Sequence, residues 1–374
     1  MSSRPFEGVL VVSLEQAVAA PMASQRLAEA GARVIKVERP EGDFARGYDT
    51  AAGGISSYFA WLNRGKESVA LDLKDPADMA VMRAMLARAD VFIQNLAHGA
   101  TARMGLDAAS LLAARPEMVV CDMSGYGPVG PYAEAKAYDL LIQAESGIIA
   151  VSGAPGAYGR IGVSLADIGT GINAAGAIAT ALVRRFRTGE GASLEVSLFD
   201  SMAEWMTVPL LHHDYLGRAP GQAGLAHPSI APYGAFRTAD GGTVLISIQS
   251  DREWRVLAGE VMGRADLAAD PALATNNQRV ADRARTDAEV GAWFAGVTRA
   301  EAEARLSAAR IAFGALNDVA GLSRHPQLDR WQAGHEAGSV ALPMPGARAD
   351  WLAEADVPAL DQHGQAIRAE FAPG

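Results

Sequence analysis

The sequence predicts an α/β protein with a parallel sheet in a large first domain and a smaller α+β domain after it. Short runs rich in Val, Ile and Leu alternate with helical stretches up to about residue 200. This alternation is typical of a parallel sheet covered by helices. After about residue 205 it gives way to one alternating strand and Ala-rich helical stretches, which indicates a second domain.

In the first domain, predicted strands alternate with predicted helices along the chain. Gly8–Leu14 is a predicted strand, Pro21–Ala30 a helix that Gly31 ends, and Arg33–Val37 a second strand, so the chain opens with a β-α-β unit. Further strands are predicted at Ser68–Leu73, Asp90–Gln94, Met118–Cys121, Arg160–Asp167 and Ser193–Phe199, with helices after Pro76 and at Gly171–Arg187.

The later part of the chain is predicted to form the smaller domain. It holds a loop-rich stretch at His212–Pro232, a strand at Thr243–Ile248, and helices over 285–296 and 299–309. We assign 1–205 to the large domain and 206–335 to the linker and small domain, with part of 336–374 packing back on the large domain.

The composition is that of a soluble, cytoplasmic protein. Its 374 residues, 49% hydrophobic and 20% charged, exceed one ordinary domain and support a sizeable core. A net charge of −10 argues against nucleic-acid partners and anionic membranes, and no uninterrupted apolar run is long enough to span a membrane. The single cysteine, Cys121, excludes an intrachain disulfide and a multi-cysteine metal site, and no metal is predicted.

The first β-α-β unit lacks the signature of a dinucleotide site. The turn Leu14–Pro21 contains no glycine, although a pyrophosphate needs close approach of the backbone there. Glu15 would also repel the phosphates. Glu38, which ends the second strand, is then expected to pair with a neighbour such as Arg39.

Asp167 stands where a predicted strand passes into a glycine-flanked helix, in Leu165–Gly171. Ligands of open α/β sheets bind at the carboxyl ends of strands, and helix N-termini stabilise anions. We expect Asp167 to stay ionised and to be able to attack an electrophilic carbonyl, with backbone N–H groups holding the oxyanion. An N-cap aspartate has the same local signature, and on spacing alone capping is the simpler interpretation.

A series of short segments carries a family resemblance. They are Gly31–Pro40, Leu62–Asn63, Ser68–Pro76, Asn95, Arg103–Gly105, Ser124–Gly127, Tyr138–Leu140, Leu165–Asp167 and Arg187–Gly191, with looser matches at Asp251–Trp254 and His325–Pro326. In order and spacing they resemble the class III CoA-transferases, which include the formyl-CoA and carnitine-CoA transferases. The resemblance implies a Rossmann-like large domain and an interlocked homodimer.

The resemblance also implies a mechanism in which Asp167 is the nucleophile. Its attack on the donor thioester gives a mixed anhydride, CoA thiolate then forms an aspartyl-CoA thioester, and the acceptor carboxylate attacks that thioester. CoA thioesters are substrates, and no tightly bound cofactor is implied. The implied CoA-binding positions are Val18, Ala19, Arg39, Leu71, Lys74, Asn95, Leu96, Ala97, Arg103, Lys136 and Tyr138, among which the cations Arg39, Lys74 and Arg103 would meet the phosphates.

The acceptor is expected to be a C4–C5 dicarboxylate such as itaconate, mesaconate, citramalate or malate, with succinyl-CoA as donor. Tyr48 and Tyr58 match aromatic acceptor-pocket positions of the family, and His227 or Arg46 could bind a distal carboxylate. The structural alternatives are that His227 caps a turn and that Arg46 pairs with Asp43 or Asp49. The glycine-rich loop of formyl-type members has no clear counterpart, and Gly221–Ser229 stands in its place.

The same fold serves α-methylacyl-CoA racemases, which place a histidine where this chain has Tyr138. A phenol, with an unperturbed pKa of ~10, suits proton abstraction poorly. The sequence therefore favours a transferase over a racemase, and a non-catalytic CoA-binding module is the third possibility.

Overall fold

The computed structural model describes residues 4–372. These residues form two compact units. The larger unit holds the described residues up to Ile148, then Ile161–Thr207, and the described residues from Leu328 onward. The smaller unit holds Ile149–Arg160 and Val208–Gln327.

A six-stranded parallel sheet forms the centre of the larger unit. In chain order the strands of the protein are β1 Leu10–Leu14, β2 Arg33–Glu38, β3 Glu67–Ala70, β4 Val91–Gln94, β5 Val119–Ser124, β6 Gly153–Ala154, β7 Ala157–Tyr158, β8 Ala192–Ser197, β9 Tyr233–Arg237, β10 Thr243–Ser247, β11 Phe313–Ala315, β12 Arg330–His335 and β13 Gly338–Pro343. The sheet order is β3-β2-β1-β4-β5-β8, with all neighbours parallel. The predicted parallel sheet is confirmed, and the order reverses between β1 and β4.

Helices connect these strands. In chain order they are α1 Ala19–Glu29, α2 Ser57–Asn63, α3 Pro76–Leu86, α4 Ala100–Met104, α5 Ala108–Ala114, α6 Asp139–Glu145, α7 Ile148–Val151, α8 Leu165–Thr188, α9 Leu198–Trp205, α10 Thr207–Leu216, α11 Asp251–Val256, α12 Ala265–Ala268, α13 Asn276–Ala281, α14 Arg283–Ala295, α15 Arg299–Ala308, α16 Val319–Ser323 and α17 Gly364–Glu370. Shorter 3₁₀ turns occur at Phe44–Gly47 and Pro271–Leu273, and a π-helical turn at Leu257–Val261.

Both faces of the parallel sheet are buried, as the apolar runs predict. Val11 faces a core with α1 and α8, whereas the next residue, Val12, faces a core with α3 and α17. Side chains that alternate along a strand therefore serve two separate helical layers. The sheet edge at β3 is covered by the C-terminal segment, where Asp361 accepts the Ala70 N–H at 2.8 Å. Such a cover blocks further strand pairing.

One predicted strand, Arg160–Asp167, is wrong. Residues 160–164 form no strand, and α8 begins at Leu165. The side chain of Gln143 satisfies the backbone here, because its Oε1 accepts the Ile161 N–H at 3.1 Å and its Nε2 donates to the Val163 carbonyl at 3.3 Å. Because the Gln143 side chain forms these hydrogen bonds with the backbone, the segment does not need a partner strand.

The smaller unit contains the antiparallel sheet β11-β10-β9, packed on a core that includes Trp254 and Phe294. The predicted strand and the two predicted helices are present as β10, α14 and α15. The expectation of loop from His212 onward is wrong in its first part, since α10 continues to Leu216.

Among the described residues, α8 is long and apolar enough to span a membrane by length and composition. Part of this helix packs into the core of the larger unit, and the core helix of a soluble protein passes the same test.

Candidate active site

A cavity of about 720 Å³ opens at the carboxyl ends of the parallel strands in the larger unit. Its walls include Gln16–Ala19, which follow β1, and Asn95–His98, which follow β4. Because the sheet order reverses between these two strands, the chain leaves them in opposite directions and a crevice forms between them. The cavity lies at the position where this fold class binds its ligands.

Asp167 lines this cavity and lies in the first turn of α8. The N-cap of α8 is Ser164, whose side chain makes no capping hydrogen bond. The capping interpretation of Asp167 is therefore wrong: Asp167 is the third residue of the helix, and within residues 4–372 no hydrogen bond to its carboxylate is found. The carboxylate is available for chemistry in the cavity.

The start of α8 is held by Asp139. This buried residue begins α6, and its Oδ1 accepts the Ala166 N–H at 2.8 Å, while its Oδ2 accepts from Gln143 Nε2 at 2.8 Å. A carboxylate on α6 thus supplies the anchor that Ser164 does not, and it fixes the helix turn that carries Asp167.

Close contact between α8 and α1 places Asp167 at the cavity. Gly171 lies one turn after Asp167 on the same face of α8, and a Cβ there would be 2.5 Å from the Met22 Cβ and 2.6 Å from the Ala19 carbonyl oxygen. Only glycine permits this approach. The first N–H groups of α1, next to Val18 and Ala19 in the cavity wall, have no acceptors inside their helix.

The pKa of Asp167 differs from the sequence expectation. Burial, together with the nearby Asp139 carboxylate, raises this pKa from 3.8 to about 7. Near neutral pH and without substrate, about half of the molecules therefore carry a protonated Asp167, because loss of water outweighs the favourable helix N-terminus.

The wall formed by Gln16 and Ala17 is clamped by Asn95. Asn95 Oδ1 accepts the Gln16 N–H at 2.9 Å, and Asn95 Nδ2 donates to the Gln16 carbonyl at 2.9 Å. This paired contact joins the segments that follow β1 and β4. The amide of Asn95 thus shapes the wall.

Aromatic side chains form another part of the wall. Tyr48 lies edge-on to Tyr58 with ring centroids 5.5 Å apart, and Phe44 lies 5.7 Å from Tyr48. Burial raises the pKa of Tyr48 to about 12, with the Asp43 and Asp167 carboxylates adding to the shift. Tyr48 therefore stays a neutral hydroxyl that can donate a hydrogen bond in the cavity.

A family model described as CoA-transferase family III matches residues 6–363. The chain belongs to this family. Similar proteins include the acetyl-CoA:oxalate CoA-transferase of Acetobacter aceti, 34% identical over 98% of this chain and 96% of that protein. The succinate–glutarate CoA-transferase of Agrobacterium fabrum is 37% identical over 75% of this chain and 72% of its own length. The succinyl-CoA:mesaconate CoA-transferase of Haloarcula hispanica is 30% identical over 96% of both chains.

Solved structures agree with the family assignment. A CaiB/BaiF family protein from Brucella suis superposes with a TM-score of 0.82 at 35% identity, covering 99% of this chain and all of that one. A Mycobacterium tuberculosis protein superposes with a TM-score of 0.89 at 27% identity, with the same coverage. The predicted fold class and enzyme class are both confirmed.

The structure brings many of the predicted site residues of this CoA-transferase together. Those that line the cavity are Val18, Ala19, Tyr48, Tyr58, Asn95, Leu96, Ala97, Lys136, Tyr138 and Asp167. They come from segments far apart in sequence, and the carboxyl edge of the sheet gathers them. Tyr138 is 67% exposed, so its ring stands at the rim of the cavity.

Three predicted cations are exposed and lie outside the cavity lining. Arg39 directly follows β2, Lys74 follows β3, and Arg103 lies in α4 after β4. All three therefore follow strands at the sheet edge where the cavity opens. Arg39 Nε donates to the Gly42 carbonyl at 2.8 Å, and its guanidinium lies 6.0 Å from the ring centroid of Phe44, a cavity residue.

Leu71, Arg46 and His227 also lie outside the lining. Leu71 is buried in the core beneath the sheet. Arg46 forms a double hydrogen bond with the Glu38 carboxylate at 2.8 Å for each contact, so the expected pairs Glu38–Arg39 and Arg46 with Asp43 or Asp49 are wrong. His227 belongs to the smaller unit, where its ring stacks on Tyr233 and its Nδ1 accepts the Ser229 N–H at 3.1 Å.

Sequence reasoning missed several cavity residues. They are Gln16, Ala17, Phe44, His98, Met123, Ser124, Gly125, Ala133, Glu134, Ala135, Ala137, Asp139, Leu140, Ser164 and Leu198. A usable signal existed, since Gln16, His98 and Gly125 lie within four residues after strands whose carboxyl ends share one sheet edge. Among residues 4–372, no group of His, Cys, Asp or Glu is placed to hold a metal ion.

Proposed function

We propose that this CoA-transferase moves CoA from succinyl-CoA to a C4–C5 dicarboxylate, with Asp167 as the nucleophile. The observation that carries the proposal is the position of Asp167, a carboxylate without a hydrogen-bond donor among the described residues, in the wall of a 720 Å³ cavity. A carboxylate that is poorly solvated and held beside a helix N-terminus suits repeated acyl exchange.

The steps follow from carboxylate and thioester chemistry. Asp167 attacks the donor carbonyl, the C–S bond breaks, and a mixed anhydride and CoA thiolate result. The thiolate then attacks the aspartyl carbonyl, which releases the donor acid and leaves an aspartyl-CoA thioester. The acceptor carboxylate attacks this thioester to give a second anhydride, and thiolate attack on the acceptor carbonyl forms the new acyl-CoA and regenerates Asp167.

The dicarboxylate acceptor is supported by the relatives and by the aromatic wall. Relatives are named for glutarate, mesaconate and citramalate with succinyl-CoA or succinate. Tyr48 and Tyr58 supply apolar surface with hydroxyl groups at its margin, which suits a short carbon chain bearing polar ends. The oxalate relative makes a shorter diacid the natural competitor in the test.

CoA is proposed to enter along the carboxyl edge of the sheet. Its thiol end would lie against Val18 and Ala19, and its phosphates near the exposed cations Arg39, Lys74 and Arg103. Lysine and arginine at the rim would concentrate positive potential on a protein whose net charge is −10.

The deciding experiment is incubation of the enzyme with succinyl-CoA and one acid at a time, with mass spectrometry of the CoA products. The panel is oxalate, malonate, glutarate, mesaconate, itaconate, citramalate and malate. New thioesters of the C4–C5 acids are expected with the wild type and none with Asp167→Ala. Preference for oxalate would overturn the acceptor proposal, and no new thioester with any acid would overturn succinyl-CoA as donor.

The covalent route has its own test with an acceptor labelled in both carboxylate oxygens by ¹⁸O. If an anhydride forms on Asp167, one labelled oxygen remains on the aspartate after a single turnover and is found in the peptide that contains it. Direct attack of the acceptor on succinyl-CoA would leave this peptide unlabelled.

A racemase of the same fold stays the alternative. It would exchange the α-proton of a branched acyl-CoA with deuterium from D₂O in the absence of any acceptor acid. CoA transfer includes no such proton exchange. A homodimer is proposed for the assembly.

A further inference from the structure

A charged cluster is fully buried directly beneath the Gln16–Ala19 wall of the cavity. It contains the side chains of Glu15, Lys36, Asp43 and Lys66, each with no solvent exposure. Lys36 lies in the middle of β2, a strand buried on both faces where apolar residues are the rule. A lysine at such a position requires partners that compensate for its loss of water.

Three ion pairs link the cluster. Lys66 Nζ contacts Glu15 Oε1 at 2.7 Å, and Glu15 Oε2 also accepts from Ser13 and Ser24 at 2.5 and 2.6 Å. Lys36 Nζ contacts Asp43 Oδ2 at 2.9 Å, and the longer contact from Lys36 Nζ to Glu15 Oε1 is 3.5 Å. The first pair joins β1, α1 and the segment after α2, whereas the second leads to the cavity wall.

Asp43 connects Lys36 to that wall through its other oxygen. Asp43 Oδ1 accepts the N–H of Ala17 at 3.1 Å and the N–H of Ala45 at 2.9 Å. Ala17 lines the cavity and has a φ of +63°, in the left-handed region that an alanine adopts reluctantly. The turn at Ala17 directs Val18 and Ala19 into the cavity wall and starts α1 there.

We propose that Lys36 and Asp43 are a positioning pair for CoA transfer: Lys36 fixes the Asp43 carboxylate, and Asp43 holds the Ala17 turn in its left-handed conformation. Neither side chain lines the cavity. Their effect reaches the reaction through the wall that faces Asp167, where the donor carbonyl must align with the nucleophile.

The test uses the half-reaction of Asp167 with succinyl-CoA alone, followed by intact-protein mass spectrometry of the covalent adduct on a rapid-quench time scale. Asp43→Ala, which removes the contacts with Lys36, Ala17 and Ala45, is expected to slow adduct formation by about 10- to 100-fold, with a smaller change in the succinyl-CoA concentration that gives half the maximal rate. Asp43→Asn keeps an oxygen that can accept the Ala17 N–H, and its rate of adduct formation is expected to fall less than that of Asp43→Ala.

Rescue separates positioning from general damage. Glycine adopts positive φ without the steric cost that alanine carries, so adding Ala17→Gly to Asp43→Ala is expected to restore a large part of the rate. A matched control is Glu29→Gln, which removes the carboxylate partner of the nearly buried Arg64 away from the cavity wall. This variant is expected to lower thermal stability and to leave the rate unchanged.

The outcomes are distinct. If the wild type forms no adduct with succinyl-CoA, the proposed donor and route fail. If the wild type forms the adduct and Asp43→Ala matches its rate, the positioning proposal fails. A rate loss in Glu29→Gln as large as in Asp43→Ala, or a double variant without recovery, would also overturn it.

Discussion

At the scale of single residues, the proposed nucleophile is a carboxylate whose ionised form is destabilised by burial. Asp167 occupies a helix N-terminus, which favours a negative charge, yet its pKa is raised to about 7 by burial and by Asp139. The sequence placed Asp167 at the end of a predicted strand, just before a helix, but its desolvation depends on residues that only the folded chain brings near. The raised pKa has consequences for catalysis and for stability.

The first prediction concerns the pH dependence of activity. Because Asp167, the proposed nucleophile, must be deprotonated, kcat/KM for succinyl-CoA should rise about tenfold per pH unit below 7 and level off above it. The measurement is initial rate at saturating acceptor from pH 5 to 9, repeated with succinyl-dephospho-CoA so that the 3′-phosphate does not contribute. A profile that stays flat across pH 7 would contradict the assignment.

The second prediction concerns stability. The pKa of Asp167 in the folded state lies above its value near 4 in the unfolded state, so the folded protein holds this proton more tightly. The resulting contribution to the free energy of unfolding is complete below pH 4 and is lost as pH rises through 7. Asp167→Asn should therefore stabilise the protein at pH 8, by up to about 2–4 kcal/mol, and change little at pH 4. Thermal melts at both pH values measure this.

A variant with the opposite sign serves as the control for that measurement. Asp107 caps α5, and hydrogen bonds from Ser110 lower its pKa. Asp107→Ala should lower the melting temperature at pH 8. An Asp167→Asn variant that melts below the wild type at pH 8 would contradict the stability argument.

At the scale of elements, the site depends on how α8 crosses α1. Gly171 lets the two backbones meet, and Asp139 on α6 holds the first turn of α8. Apolar periodicity predicted most of the strands and helices here, because local sequence decides which faces are buried. It failed at Arg160–Asp167, where the side chain of Gln143 satisfies the backbone and no local pattern reports such a contact.

The third prediction tests this crossing. Gly171→Ala should push α8 away from α1, lower the free energy of unfolding by about 1–3 kcal/mol and reduce kcat by about 10- to 100-fold. Gly291 lies inside α14 of the smaller unit, where a Cβ would be 3.8 Å from Phe236, an ordinary contact distance. Gly291→Ala should keep activity and raise stability by about 0.5–1 kcal/mol. Equal kcat values for the two variants would refute the role of Gly171.

At the scale of the whole molecule, each of two compact units has its own core, and the cavity belongs to the larger one. The larger unit exposes apolar side chains on α8, among them Ile172, Val183 and Phe186 at 47%, 54% and 62% exposure. Apolar surface of this kind on a helix is typical of an interface. This supports the proposed homodimer.

The fourth prediction is therefore a mass of about twice 39.1 kDa in size-exclusion chromatography with light scattering. Phe186→Asp should shift the equilibrium toward the monomer, because a charge at an apolar interface is costly. Glu190→Gln, beyond the same helix, is the control and should leave the mass unchanged. A wild type that elutes as a monomer at micromolar concentration would contradict the proposal.

The sequence by itself determined the α/β class and the family, and it singled out Asp167 next to a helix, because apolar periodicity and motif spacing can be read directly from the chain. Tertiary structure decided which of the predicted residues meet. Leu71 lies in the core, and Arg46 is paired with Glu38, whereas Val18, Asn95 and Asp167 share one cavity. Tertiary structure also decided the pKa of Asp167 and the buried Lys36–Asp43 pair, because electrostatic energies depend on distances and on exclusion of water between residues far apart in the chain.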